Sequence, residues 1–244
     1  MNPGSRAEGH DRLLAAWRER LGAQRAEPLP QQAGSPNHHF AVYTQAGEQP
    51  YFVKVVSDGR RFRREGIACR FLSARGFPHL TIRGEGSVSD HLFWRAFDWL
   101  SGRPFTPSTP REVAAAGRVL GTVHRASAGV DLEGLPRIRS LTDVLEPMLD
   151  RLAHTAPAAF AAVAPVAASA RRLYPVVQAS DEAQPSVLLH GDFGWRNLLV
   201  RADHTLVLLD FERAFIGPAW LDLAKSVDRE LRVPEGTDGA SWSR

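Results

Sequence analysis

Hydrophobic and polar positions change period several times along the chain, and each change marks an expected element. Leu13, Leu14, Trp17 and Leu21 fall on one side of a helical wheel, so residues 1–27 predict an amphipathic N-terminal helix. A Pro- and Gln-rich break follows at 28–32. The segment "AGSPNHHFAVYTQAGEQPYFVKVV" then alternates with period two, and predicts two strands joined by a turn at 45–49. A helix is expected from about Arg60 to Ala74, ending at Gly76, a residue suited to the left-handed position past a helix end. Further strands are expected at Leu80 to Arg83 and His91 to Phe97.

From Ser101 the pattern becomes helical. "SGRPFTPSTP" has linker composition, and Thr109-Pro110-Arg111-Glu112 carries an N-cap threonine, a first-turn proline and a glutamate at the capping-box position. Val113, Ala116, Leu120 and Val123 mark one face of the helix that follows. Helices are also expected at about 141–153 and 156–178, with Pro147 and Pro165 kinking or interrupting them. Two short strands, Asn197 to Val200 and Thr205 to Leu209, joined through Arg201 to His204, come last. The expected division is an N-terminal helix (1–27), a small β-rich lobe (28–100) and a mainly helical lobe (101–244), an α+β class.

Composition adds boundaries to this picture. The chain is 43% hydrophobic and 23% charged, as soluble globular proteins are. No apolar run reaches membrane-spanning length, so no membrane partner is expected. The first 20 residues are charged throughout, without a signal-type apolar core, which points to the cytoplasm. Cys69, the single cysteine, excludes an internal disulfide, fits a reducing compartment and is expected in the core. His38 and His39 are expected at a loop or strand surface. Net charge is +3, with no basic stripe of interleaved aromatics, so a nucleic-acid partner is not expected. No pattern specifies an oligomeric state. Of 30 lysine and arginine residues only Lys54 and Lys225 are lysine. A sequence that writes arginine almost everywhere keeps a compact ammonium at Lys54, in the middle of a strand.

The final strand pair is edged with polar groups. Asp192 and Asn197 stand at its entry and Asp210 at its exit, and the ends of an antiparallel hairpin lie close together. The five-residue offset between Asp192 and Asn197 is that of a kinase catalytic loop, in which an aspartate accepts the acceptor proton and an asparagine holds magnesium. Asp210 follows the next strand, where a kinase places its metal-binding aspartate.

"HGDFGWRN" together with "LVLLDFE", and "FVKV" upstream, resembles the aminoglycoside phosphotransferase and choline kinase family of small-molecule kinases, over about Gly34 to Ala224. The resemblance implies a protein-kinase-like two-lobe fold and an ATP-dependent transfer of the γ-phosphate to a hydroxyl of a small molecule, an antibiotic or a metabolite. It implies ATP, with GTP as the alternative, and Mg2+. It assigns Gly34, Ser35 and Asn37 to the nucleotide loop, Lys54 to the phosphates and Glu65 to the helix position that pairs with that lysine. Phe97, Asp98, Trp99 and Leu100 become the hinge that meets adenine. Asp192 becomes the catalytic base, Asn197 and Asp210 the metal ligands, and Asp222 a structural aspartate. His190 is expected to hold the loop by hydrogen bonding, and Glu212 to pair with an arginine or join the metal shell.

Two alternatives stand beside this: a nucleotide-binding scaffold without turnover, and a protein kinase. Against the second, no APE-like segment follows Asp210, and Gly217-Pro218 comes too soon for a long activation loop. Trp195 and Arg196 add bulk and positive charge next to Asp192 in sequence. Only Asp228, Glu230, Glu235 and Asp238 supply carboxylates beyond Asp222. A neutral or weakly cationic hydroxylated acceptor is therefore expected over a polycation.

Overall fold

The computed structural model describes residues 3–30, 36–44, 49–138, 140, 142–182 and 185–230. The chain divides into two compact units, Met1–Val119 with Trp195–Arg213, and Leu120–Gly194 with Ala214–Arg244.

The first unit is built on a five-stranded antiparallel sheet in the order β1-β2-β3-β5-β4. Its strands are β1 (Arg25–Pro28), β2 (His38–Tyr43), β3 (Tyr51–Val56), β4 (Ile82–Ser89) and β5 (Leu92–Asp98). Period-two alternation gives the sheet two different faces. Phe40 and Val42 of β2, Val53 and Val55 of β3, and Trp94 and Ala96 of β5 pack in one cluster with Leu13 and Trp17 of helix α1 (Pro3–Leu21). Each of these side chains is nearly or wholly removed from water, and they form the core of the unit.

The residues between them, His39, Lys54 and Arg95, project to the opposite face. Strand register aligns them in one row, with His39 beside Lys54, Lys54 beside Arg95, and Arg95 beside Glu85 of β4. Helix α2 (Gly59–Ser73) contributes buried Glu65, Ala68, Cys69 and Leu72. Asp58 caps it, its carboxylate accepting from the backbone N–H of Arg60 (2.8 Å) and Arg61 (3.2 Å). Past its end, Gly76 takes the expected left-handed conformation, φ 91°.

A three-stranded sheet, β6-β8-β9, completes this unit: β6 (Arg103–Pro104), β8 (Leu198–Val200) and β9 (Leu206–Leu208). The expected hairpin is thus present, and Asn197 belongs to the short 3₁₀ turn Trp195–Asn197 that leads into it. Leu80 likewise closes a 3₁₀ turn ahead of β4 rather than beginning a strand.

Helix α3 (Pro110–Ala126) begins with the expected capping box. Glu112 N–H donates to Thr109 Oγ1 (3.3 Å), and the Glu112 carboxylate accepts from the backbone N–H of Thr109 (3.1 Å). The second unit holds the end of α3, α4 (Thr142–Thr155), α5 (Pro157–Glu182), α6 (Trp220–Glu230) and the antiparallel pair β7 (Val187–Leu189) with β10 (Phe215–Gly217). Contrary to expectation, α4 runs through Pro147 without interruption, and α5 through Pro165 and Pro175. All three prolines face solvent, where water can satisfy the carbonyl that each proline leaves without a donor. Among the described residues no helix is long and apolar enough to cross a membrane.

Candidate active site

A cavity of about 300 Å³ opens in the first unit. Leu29, Phe52, Leu80, Phe97, Leu199 and Leu209 give it apolar walls, and Asn37, Lys54, Glu65, Asn197 and Asp210 give it polar ones. Asp98, Trp99 and Leu100, which follow β5, also line it. So do two residues that the sequence placed elsewhere. His39, expected at a loop or strand surface, is half-buried here, because β2 turns its odd positions to this side of the sheet. Cys69 is buried, as expected, and reaches the cavity from α2.

Lys54 is the electrostatic centre. Its ammonium is 4% exposed and lies 3.0 Å from Glu65 Oε1, 2.6 Å from Asp210 Oδ1 and 2.9 Å from Glu212 Oε2. Burial opposes its charge, but the three carboxylates overcome that penalty and raise its pKa above the ordinary lysine value. His39, its neighbour in register, is pushed the other way, by burial first and by the Lys54 charge second. Burial and the nearby Glu65 carboxylate raise the Cys69 thiol, which is therefore an inert thiol.

Each carboxylate around Lys54 is held by a different element. Glu65 comes from α2, and its second oxygen accepts from Arg95 Nη1 (2.9 Å). Glu212 accepts from Asn37 Nδ2 (2.7 Å) and Arg61 Nη1 (3.0 Å). It has the arginine partner foreseen as one alternative, and it also ties the segment before β2 to the chain after β9. Asp210 leaves β9 with φ 67°, a left-handed conformation that costs most residues about 1–2 kcal/mol and that aspartate tolerates better than most. Upstream of it, Leu209 N–H donates to Asn197 O (2.9 Å), which closes the base of the hairpin and puts Asn197 and Asp210 on one rim. His79 contacts the Leu208 carbonyl through Nε2 (3.2 Å). Since a carbonyl only accepts, this nitrogen carries the proton. Burial holds the His79 pKa below the usual value, the carbonyl contact partly offsets this, and Arg201 adds to the lowering.

Asp192 belongs to the second unit and is buried there in the loop after β7. Its backbone N–H donates to His190 Nδ1 (3.2 Å), the loop-holding hydrogen bond expected of His190. Asp222 organises the rest of that loop. Its carboxylate accepts from the backbone N–H groups of His190 and Gly191, each at 2.8 Å, and meets His124 Nε2 at 3.0 Å. Gly191 adopts φ 75°, which a side chain would oppose.

Of the residues singled out in the sequence, Asn37, Lys54, Glu65, Phe97–Leu100, Asn197 and Asp210 therefore meet at one cavity. Asp192 precedes Asn197 through Phe193–Arg196 and lies in the other unit, while Gly34 and Ser35 fall outside the described residues. Arg95, Glu85 and Arg61 were not foreseen. Of these, Arg95 alone carries a sequence signal, a charged residue inside the apolar run Phe93-Trp94-Arg95-Ala96-Phe97.

Comparison with known proteins bears on these observations. The profile of the phosphotransferase enzyme family, APH, matches residues 29–240. No curated protein matches. Among solved structures, the aminoglycoside phosphotransferase APH(4)-Ia superposes with a TM-score of 0.62 at 16% identity, over 89% of this chain and 75% of that one. A putative fructosamine-3-kinase from Thermobifida fusca YX-ER1 superposes with a TM-score of 0.60 at 24% identity, over 87% and 77%. Spectinomycin phosphotransferase APH(9)-Ia, solved with ADP and spectinomycin, gives 0.56 at 18% identity, over 87% and 71%. These likenesses show a kinase-like α+β fold with an antiparallel sheet and a helical part. With the profile extending over nearly its whole length, the chain belongs to the APH phosphotransferase enzyme family and is a small-molecule kinase.

Proposed function

We propose that the protein transfers the γ-phosphoryl group of ATP to a hydroxyl of a small molecule, with Asp192 as the base. The observation that carries this reading is Lys54, a buried ammonium inside a cavity whose polar groups include Glu65, Asn197 and Asp210. A lysine kept charged where water is scarce is suited to holding phosphate oxygens. The apolar walls suit an adenine ring, and the backbone of Phe97–Leu100 offers it hydrogen-bonding groups. That one neighbour was solved with ADP supports a nucleotide in this fold.

The donor set also fits Mg2+. Asp210 supplies a carboxylate whose side chain is 37% exposed, and Asn197 supplies an amide oxygen on the same rim. One carboxylate and one neutral oxygen suit an ion that takes its remaining ligands from phosphates and water. When bound, Mg2+ would neutralise charge on the phosphate oxygens. The residues of the chain then do the positioning. Glu65 directs Lys54, and Lys54 holds phosphate oxygens. Asp192 orients the acceptor hydroxyl and takes its proton as the oxygen bonds to phosphorus and the bridging P–O bond to ADP breaks.

For the acceptor we favour a neutral or weakly cationic hydroxylated molecule. Arg196 lines the cavity beside Asn197, and Trp195 packs edge-on against Phe105 at 5.7 Å, so charge and bulk here disfavour a polycation. A cytoplasmic setting, where ATP is available, accompanies this reading. The test is incubation with ATP, Mg2+ and a panel of hydroxylated metabolites and antibiotics, with mass detection of a transferred phosphate. Transfer to a neutral member supports the proposal. Nucleotide binding without transfer to any member would favour the scaffold reading, and efficient transfer to polycations alone would overturn the acceptor preference.

A further inference from the structure

Behind Lys54 and Glu65 lies a buried arginine that does not line the cavity. Arg95 is 1% exposed, and its guanidinium reaches three residues on two elements, α2 and β4. Nη1 donates to Glu65 Oε2 (2.9 Å), Nη2 donates to the Phe62 carbonyl (2.8 Å), and Nε and Nη2 both donate to Glu85 Oε2 (3.0 and 2.9 Å). Its plane also covers the Phe62 ring, 4.1 Å from the centroid. Glu85 is held in turn by Arg70 Nη1 at 2.6 Å. Charges therefore alternate along one continuous chain, Arg70, Glu85, Arg95, Glu65, Lys54 and Asp210, from the surface of α2 to the cavity.

We propose that Arg95 is a positioning residue for phosphoryl transfer, which fixes the Glu65 carboxylate and helix α2 against β5 and thereby sets where Lys54 presents its ammonium. The proposal rests on the reading of Lys54 as the phosphate-holding group. A glutamate carboxylate turns easily about its last torsion, and Lys54 engages only one of its two oxygens. Arg95 pins the other oxygen, and its bond to the Phe62 carbonyl holds the backbone of α2, the helix that carries Glu65. A lysine at position 95 would keep the charge but lose the planar fork that spans Glu65, Phe62 and Glu85 together. Gly66 belongs to the same device. A Cβ there would stand 2.5 Å from Arg95 Nη2 and 3.3 Å from its Cζ, so glycine admits the guanidinium against the helix.

Calorimetric titration with two probes, MgATP and adenosine, tests this without an acceptor. Adenosine needs the apolar walls but not Lys54, so it reports whether the cavity is intact. Arg95→Lys and Gly66→Ala should each weaken MgATP by about 10- to 100-fold, the loss expected for a misplaced charge-assisted hydrogen bond. Adenosine affinity should stay within about twofold. Gly66→Ala removes no charged group, which keeps the proposal falsifiable if Arg95 variants fold poorly. Unchanged MgATP affinity in both variants, or an equal loss for both probes, would overturn the role of Arg95. Lys54→Met run in parallel separates the two failures. If Lys54→Met weakens MgATP while Arg95→Lys and Gly66→Ala do not, only the positioning role falls. If Lys54→Met leaves MgATP affinity intact, the phosphate role of Lys54 falls and the positioning role with it.

Discussion

Replacing Lys54 by methionine keeps most of the side-chain volume and removes a cation shared by Glu65, Asp210 and Glu212. All three carboxylates lie 2.6–3.0 Å from its nitrogen, so no two of the contacting oxygens are more than about 6 Å apart around the position it fills. At an effective dielectric of about 20, two like charges at 5 Å repel by about 3 kcal/mol, and three such pairs surround this point. Arg95 still faces Glu65, Arg61 still faces Glu212, and Asp210 is partly solvated, so most of that repulsion is relieved. Removing one partner of a buried ion pair typically costs about 3–5 kcal/mol. With those remaining partners we expect the lower end, about 3 kcal/mol. The sign at neutral pH is fixed by the shift at Lys54. A pKa raised in the folded state gives stability that is fully present below about 10.5 and lost only as pH climbs through the higher folded value. For a chain of this size about 3 kcal/mol lowers Tm by about 6–12 °C. Thermal unfolding followed by circular dichroism at pH 7 measures it. Lys54→Met/Asp210→Asn, which removes one of the stranded charges, should recover part of the loss. A drop below about 2 °C, or no recovery in the double variant, would refute the electrostatic account of this cluster.

Four further outcomes are expected. Asp192→Asn should lower phosphate transfer by about 10²- to 10⁴-fold with MgATP affinity near that of the parent, measured by turnover and calorimetry on one preparation. Asp210→Ala should weaken Mg2+-dependent nucleotide binding more than Asn197→Ala, because it removes a formal charge, and titrations of ATP with and without Mg2+ compare the two. Asp222→Ala should destabilise by about 3–5 kcal/mol, because it strands the buried N–H groups of His190 and Gly191 together with His124, and chemical denaturation reads this directly. The lowered pKa of His79 means stability that is present above about 6.5 and lost as pH falls toward the folded value. His79→Asn, which keeps a donor for the Leu208 carbonyl, should therefore flatten the fall in Tm as pH drops below about 6.5.

Residues whose role follows from local chain geometry were legible in the sequence. Asn197 and Asp210 share a rim because a short turn folds β9 back on β8, and any reading that finds the hairpin finds the pair. Lys54 stood out because alternation placed it on a half-buried strand in a chain with almost no lysine. The capping box of α3 and Gly76 are likewise local. Arg95 was not legible for the opposite reason. Its partners lie 10, 30 and 33 positions away on other elements, and an arginine inside an apolar run does not by itself say which partners it meets. The strands β7 and β10 are as short as β8 and β9 but pair across distant parts of the chain, without the short turn that marks a hairpin. The prolines misled because sequence gives their position along a helix but not the side they face. On a solvent-facing side the lost backbone bond is replaced by water, and α4 and α5 continue.

The three carboxylates around Lys54 are not equivalent, and the difference follows from what holds each of them. Glu65 is 4% exposed and anchored by Arg95, and Glu212 is 10% exposed and anchored by Arg61 and Asn37. Asp210 is 37% exposed, stands on a backbone at φ 67°, and opens the turn that leaves β9. Displacing a buried, doubly bonded carboxylate would leave its other partners unsatisfied, a cost of about 1–3 kcal/mol for each stranded group. Asp210, the most exposed of the three, has the least desolvated carboxylate to turn from Lys54 toward water. An anion approaching Lys54 therefore meets least resistance at Asp210, the same group that the proposed function assigns to the metal ion. On that assignment one side chain serves two purposes. It neutralises the lysine when no phosphate is near, and it turns to the cation that accompanies the phosphates when they arrive. Glu65 and Glu212, fixed by their own arginines, keep the ammonium charged and in place throughout.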